Sequence, residues 1–298
     1  MRWLKWLGFI LGGLVGLLLL GIGIVYLITG IRLRKKYPVP ATPITVVTDS
    51  VSLARGKHLA TALGKCVGCH EEDLGGRIMG DNPVFGRLVA SNLTPGRGGA
   101  LARYDDAALA RAIRHGLRVD STPLVFMLSE AYQAMADADV AALIAYLRAL
   151  PPVDRELPGT KVGPMARIIY LTGGLPLIPA QQIDHSARPP ATVEEDSTAP
   201  YGKYLVELGG CTGCHGPGLS GGGLGPGAKP AANLTPAGIG SWTEADFVRA
   251  LREGIRPGGT IIDSTEMPWP LAGRMTDAEI HAVWLYLRSV PPKPFGNR

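Results

Sequence analysis

Two five-residue runs, Cys66-Val67-Gly68-Cys69-His70 and Cys211-Thr212-Gly213-Cys214-His215, constrain this chain more than anything else in it. At the Cys-x-x-Cys-His spacing two thiols reach the two vinyl groups of one porphyrin and close thioether bonds. The His that follows is then held beneath the iron as its proximal ligand. All four cysteines lie in these runs, so none is left for a structural disulfide. Zinc is the rival use of paired cysteines. It would have to join pairs 145 positions apart, and it leaves each trailing His without a role. A thioredoxin-like redox pair belongs beside a βαβ pattern, which the sequence lacks. The runs therefore predict two covalently bound haem c groups, with iron held by His70 and His215.

The runs belong to an internal repeat. Gly56-Lys57 matches Gly202-Lys203 at an offset of 146, and Asn92-Leu93-Thr94-Pro95 matches Asn233-Leu234-Thr235-Pro236 at 141. Arg114-His115-Gly116 answers Arg252-Glu253-Gly254 at 138, and Tyr146-Leu147-Arg148 with Pro151-Pro152 answers Tyr286-Leu287-Arg288 with Pro291-Pro292 at 140. The offset drifts only through loops, so both halves share one fold. Each half reads as three helices: a first near 52–63 and 201–208, a middle one near 105–115 and 243–253, and a last one. Val140, Leu143, Ile144 and Leu147, with Ile280, Val283, Trp284 and Leu287, give the last pair one apolar face. Thr276 and Glu279 form a capping box, whereas Ala136 predicts a weaker helix start in the first copy. Forty glycines and 25 prolines fit short helices joined by long loops. The expected fold is all-α: two tandem helical domains, 51–153 and 198–298, behind one membrane helix.

That helix is the uncharged run of 25 residues from Leu7 to Ile31, long enough to span a bilayer. A cleaved signal peptide has a shorter apolar core and a small-residue cleavage site, and here the run continues into Arg32-Leu33-Arg34-Lys35-Lys36. Residues 1–37 thus read as an anchor in membrane lipid, and 38–50, rich in Pro, as a stiff extended stalk. The net charge of +5 resides in Arg2, Lys5, Arg32, Arg34, Lys35 and Lys36. Without those six the balance is −1, which argues against nucleic acid as a partner. Four basic residues after the helix against two before it would place the C-terminal side in the cytoplasm. Haem c attachment takes place outside the cytoplasmic membrane, and long domains translocate largely regardless of charge. The haem argument puts the domains on the periplasmic side. Segment 154–197 carries an apolar patch, Ile168 to Leu171 and Leu175 to Ile178. Packing against a haem domain is the plain use of it; contact with the bilayer or a partner subunit is the sharper one.

An iron with one His needs a second axial ligand or an open position. Met267-Pro268 and Met127-Leu128 lie in the loop before each last helix, and a loop there can lay a thioether over the distal face. Core filling is the ordinary use of any Met; Met135 and Met275, paired at offset 140, sit just before the helix caps, where a hydrophobic staple onto Val140 and Ile280 accounts for them. His58, His115, His185 and His281 have no counterpart in the other copy and read as structural. His/Met ligation raises the potential relative to two His. The free ring nitrogens of His70 and His215 need acceptors, expected near Pro83 and Pro226. Tyr104, Trp242, Asn92 and Asn233 are candidate donors to haem propionates; helix packing and turn formation use them equally well.

On these residues, together with Ser241-Trp242-Thr243 and Met267-Pro268-Trp269, the chain resembles bacterial membrane-anchored dihaem cytochromes c. Both halves are similar to class I cytochrome c domains, and the second to cytochrome subunits of periplasmic alcohol and gluconate dehydrogenases. The resemblance covers about residues 50–153 and 198–293. It implies haem c on Cys66, Cys69, Cys211 and Cys214, with His70, Met127, His215 and Met267 as axial ligands. Those subunits carry three haems, whereas this chain has two runs and an N-terminal anchor, which leaves both dehydrogenases and respiratory complexes as partners. No phosphate loop, nucleophile elbow or carboxylate cluster is present. The reading is an electron-transfer protein, relaying single electrons from an extracytoplasmic donor to a terminal oxidase or soluble cytochrome. A dihaem peroxidase with one open or His-ligated iron is the alternative, and a sensor or assembly scaffold a third.

Overall fold

A computed structural model of the chain describes residues 2–224 and 228–296. It begins with α1 (Arg2–Arg34), apolar around its whole circumference and buried only at Thr29. A helix without a polar face has nothing to turn toward water, and α1 is long and apolar enough to cross a membrane.

The first repeat runs through α2 (Ser50–His58), a π-helical turn (Leu59–Leu63), α3 (Val67–His70), α4 (Asp106–His115), α5 (Ser129–Tyr132) and α6 (Asp137–Arg148). After α7 (Pro164–Leu171), the second contains α8 (Ala199–Leu208), α9 (Cys211–His215), α10 (Pro236–Ile239), α11 (Glu244–Arg252), α12 (Trp269–Ala272) and α13 (Asp277–Ser289). In each repeat the first helix crosses the last, α2 on α6 and α8 on α13. A glycine sits in each crossing: a Cβ on Gly56 would lie 2.0 Å from the Ala142 carbonyl oxygen, and one on Gly202 1.9 Å from that of Ala282. The apolar faces read from the sequence close over these crossings, with Val140, Ile144 and Ile280 fully buried.

The capping box of Thr276 and Glu279 forms at the start of α13. Ala136 has no side chain to offer α6, but the chain supplies substitutes. The amides of Asp137 and Ala138 donate to the carbonyls of Pro190 and Ala191, each at 3.0 Å. Unpaired amides at a helix start are thus satisfied from the segment between the repeats.

The all-α expectation needs correction. A three-stranded antiparallel sheet, β1 (Arg77–Asn82), β2 (Gly86–Ala90) and β3 (Lys161–Val162) in that order, lies on the first repeat. Its hairpin occupies the loop that lengthens this copy between His70 and Asn92. Asn82 Oδ1 accepts from the amides of Val84 and Phe85 and closes the turn. Every residue of β1 is exposed, so no alternation of apolar and polar residues announces the strand.

Residues 38–50 contain no helix or strand before Ser50, but they do not stand free. Tyr37 and Val39 are buried; the Tyr37 amide donates to the Ser121 carbonyl at 3.0 Å, and Arg111 donates to that of Val39 at 3.1 Å. With Leu117, Tyr170, Leu177, Ile178 and Ala180 they form a small second core, which Leu33 of α1 and Val125 also join. The apolar patch of segment 154–197 is spent largely here, against the first repeat and the end of α1.

The repeats meet about an approximate twofold axis. His58 Nε2 donates to the Glu279 carboxylate at 2.8 Å, and the Tyr204 hydroxyl donates to Asp139 Oδ2 at 2.7 Å. His58 and Tyr204 are equivalent positions, as are Asp139 and Glu279, so each contact is the other's counterpart. Arg55 grips Asp139 with two bonds of 2.8 and 2.9 Å, and its Nη1 lies 3.5 Å from the hydroxyl of Tyr201, its own equivalent. Buried residues of both repeats join in one continuous core.

Candidate functional site

Helical geometry puts residues i, i+3 and i+4 on one face. The turns of α3 and α9 therefore put Cys66, Cys69 and His70, and Cys211, Cys214 and His215, on one face of each short helix. The His70 amide donates to the Cys66 carbonyl at 2.9 Å, closing the first turn. Lys65 (φ 52°) and Gly210 (φ 66°), just before each first Cys, both adopt the left-handed conformation.

None of the four cysteines is in a disulfide. Burial pushes the Cys66 thiol up to about 12, with the Cys66 backbone amide acting weakly against it. Metal-bound or redox-active cysteines need the opposite shift, toward thiolate. Among the described residues no group of three His, Cys, Asp or Glu side chains converges to hold a metal ion.

His70 and His215 are held alike. His70 Nδ1 donates to the Ser91 carbonyl and His215 Nδ1 to the Ala232 carbonyl, both at 2.7 Å. The acceptors are therefore not at Pro83; Pro226 lies outside the described residues. Burial lowers the His70 pKa, with the Ser91 bond acting against it, so the ring is neutral at pH 7. With its proton on Nδ1, the lone pair is on Nε2, the nitrogen an iron would take. Two sulfurs, one such nitrogen and a half-buried thioether per repeat fit a thioether-bound haem.

Those thioethers belong to Met127 and Met267, which pack half-buried against the common core, as Cys66 and Cys211 do. Met135 and Met275 are buried within it. The loops are held differently. In the second repeat Trp269 Nε1 donates to the Ile262 carbonyl at 3.0 Å, and its ring lies against Gly254, where a Cβ would come within 2.4 Å. In the first, small Ser129 replaces Trp269, and the loop is fixed from outside: the Phe126 amide donates to the Leu177 carbonyl at 3.0 Å. The Leu128-for-Pro268 exchange thus accompanies a different clamp.

Asn92 and Asn233 are buried and committed to the backbone. Their Nδ2 groups donate to the carbonyls of Val153 at 2.7 Å and Lys293 at 2.8 Å. Their Oδ1 atoms accept from the amide and hydroxyl of Thr94 and Thr235. The turn-forming use accounts for every contact seen. Tyr104 and Trp242 lie half-buried beside the core. Burial raises the Tyr104 pKa, while Arg118 and Arg103 act against it. Arg118 was not among the sequence candidates, although Arg256 matches it at offset 138 in the same kind of turn. The Arg118 amide donates to the Thr122 carbonyl at 2.8 Å, and that of Arg256 to Thr260 at 2.9 Å. The four remaining histidines pair with protein groups: His58 with Glu279, His281 with Glu244, and His115 with His185.

The family model described as Cytochrome c matches residues 53–151 and 199–291. The fructose dehydrogenase cytochrome subunit of Gluconobacter japonicus is 30% identical over 90% of this chain and 58% of its own length. The cytochrome c subunit of a quinone alcohol dehydrogenase from Gluconacetobacter polyoxogenes is 27% identical over 83% of this chain and 57% of its own. The chain thus spans a little over half of each. A protein described as diheme cytochrome c-type, from Cereibacter sphaeroides, is 28% identical over 85% of this chain and 91% of its own length. The chain belongs to the cytochrome c family and matches its domain twice in tandem.

Proposed function

We propose that this protein is a membrane-anchored dihaem cytochrome c that relays single electrons outside the cytoplasmic membrane. The observation that carries the reading is the matching seating of His70 and His215 on backbone carbonyls, each at the end of a turn bearing two cysteines outside any disulfide. Haem c supplies a one-electron ferric/ferrous couple held by thioethers. The chain's part is to fix that couple. Cys66 and Cys69, and Cys211 and Cys214, hold the porphyrin edge. His70 and His215 would present Nε2 to the iron, and Met127 and Met267 would supply the second ligand to each, which would leave no position for substrate. Tyr104 with Arg118, and Trp242 in the other copy, are the proposed propionate neighbours.

The two runs also lie close together. Lys65 Nζ, beside Cys66, donates to the Gly209 carbonyl at 2.6 Å, two residues before Cys211. A Cβ on Gly68, inside the first run, would meet Leu271 of α12 at 2.8 Å. This proximity favours passage of an electron between the halves. The dehydrogenase subunits among the relatives support a substrate-oxidising dehydrogenase as donor, with α1 as the tether and 51–153 and 198–298 as the haem domains.

The test is spectroscopic, on the matured protein. Two haems per chain are expected, both low-spin, with the thioether–ferric charge-transfer band reduced by half in Met127→Leu and again by half in Met267→Leu. A single haem, or a high-spin haem with peroxide turnover by the unaltered protein, would favour the peroxidase alternative.

A further inference from the structure

We infer that α7 and the turn between β1 and β2 form a second membrane contact, dipping into the headgroup region of the bilayer that α1 crosses. The inference rests on α1 being an anchor. Ala166 and Tyr170 turn one face of α7 into the protein, while Met165 and Ile168, three apart on another face, are 39% and 40% exposed. The hairpin turn continues that face. The Met165 amide donates to the Val84 carbonyl at 3.0 Å and the Gly163 amide to that of Phe85 at 2.9 Å. Val84 and Phe85 are 47% and 52% exposed. Four large apolar side chains brought together in this way differ from the single exposed residues that soluble surfaces scatter.

The place of the patch selects its occupant. Arg167 reaches from α7 to α1, stacks over Tyr26 at 4.4 Å and donates to Thr29 Oγ1 at 2.5 Å. Arg32 of α1 answers by lying 5.5 Å from the ring centroid of Tyr170. A hydrocarbon core of about 30 Å takes about 20 helical residues, so a span that begins at Leu7 reaches its edge at Tyr26. The stacked Arg and Tyr side chains stand where such residues collect in membrane proteins. They pin α7 beside the headgroups. Arg34 and Lys36 at the end of α1 and Lys161 just before α7 are exposed, as suits anionic lipid. A short helix with exposed apolar side chains, tied to the end of a membrane span, lies in the interfacial plane.

The contact fixes the first repeat against the bilayer. α7 shares its core with Leu177, whose carbonyl holds Phe126 beside Met127. The Met127 loop is thereby tied to the membrane surface through one packed unit.

The test uses the full-length matured protein in vesicles of phosphatidylethanolamine and phosphatidylglycerol. A nitrobenzoxadiazole label is placed in turn at Ile168→Cys, Phe85→Cys, Ile261→Cys and Leu17→Cys. Ile261, 77% exposed in the second repeat, reports water, and Leu17 reports the span. A lipid-borne nitroxide is expected to quench the labels at 168 and 85 several-fold more than at 261, and aqueous iodide to do the reverse. If 168 and 85 quench like 261 while 17 quenches with lipid, the anchor stands and the second contact falls. If the label at 17 does not meet lipid, the anchor reading itself fails and takes this one with it. Labels at 168 and 85 shielded from both quenchers would mean that protein covers the patch, which also overturns the inference.

Discussion

Met127 and Met267 occupy equivalent places with unequal support, and substitutions should expose the difference. Gly254 is held at φ 68° with the Trp269 ring against it. An alanine there meets both backbone strain and a clash, so Gly254→Ala should cost about 1–3 kcal/mol and loosen the clamp behind Met267. The expected readout is partial loss of the thioether band from one haem, together with a lower Tm. Gly116 has φ 63°, but its nearest neighbour is the small Ser129 side chain at 3.3 Å. Gly116→Ala should therefore pay the strain alone and leave the band intact. Equal spectral losses in the two variants would contradict the clamp. The residues that bear chemistry were legible because Cys-x-x-Cys-His is contiguous. The Ser91 and Ala232 carbonyls were not, because a backbone acceptor has no residue type and is found only once the loop has folded over the ring.

Among the elements, α6 and α13 are the same helix with different starts. Thr276→Ala removes a side chain that accepts the Glu279 amide at 3.2 Å, at an expected cost of about 1 kcal/mol. Ala136→Ser should gain much less than that. Of the two amides a cap at this position can serve, that of Ala138 is already bound by the Ala191 carbonyl, and Ala136 itself is packed at 1% exposure, which leaves little room for a hydroxyl. Chemical denaturation of the two variants checks the pair, and a gain of a full cap from Ala136→Ser would refute the substitute cap. At the helix crossings, Gly202→Ala should force α8 from α13 and destabilise by about 1–3 kcal/mol or more. Helices and their apolar faces were readable because their period is local. β1 was not, since an exposed strand has no pattern to show; its hairpin is held by β3, more than 70 residues later.

For the whole molecule, the twofold interface sets a dependence on pH. Burial by itself raises the Glu279 pKa, but the His58 bond, the Thr276 amide and the charges of His58 and Arg55 outweigh it and hold the carboxyl below the usual glutamate range. A carboxylate depressed in the folded state contributes stability in full above its unfolded value, about 4.3. That stability is lost as pH falls through the folded value. Below about pH 4.3 the interface should weaken, with His58, Arg55 and Tyr201 losing a charged neighbour. Glu279→Gln should be less stable than the unaltered protein at pH 7 and should lose less on acidification, measured by urea unfolding across pH 3–7. Parallel pH profiles would show that Glu279 does not couple the repeats. The equivalence of the repeats was readable from their offsets; their mutual docking was not, because His58–Glu279 and Tyr204–Asp139 join positions 221 and 65 residues apart.

Taken alone, the amino-acid sequence determined two Cys-x-x-Cys-His turns, one repeated helical unit and one uninterrupted apolar helix. Each depends on neighbours within a few residues, where covalent reach and helical period leave little choice. Tertiary structure decided which carbonyls seat the histidines, how the 154–197 segment substitutes for a missing cap and grips the Met127 loop, and where the repeats meet. Those outcomes depend on the shape of surfaces brought together from distant parts of the chain, and burial rewards them only after both surfaces exist.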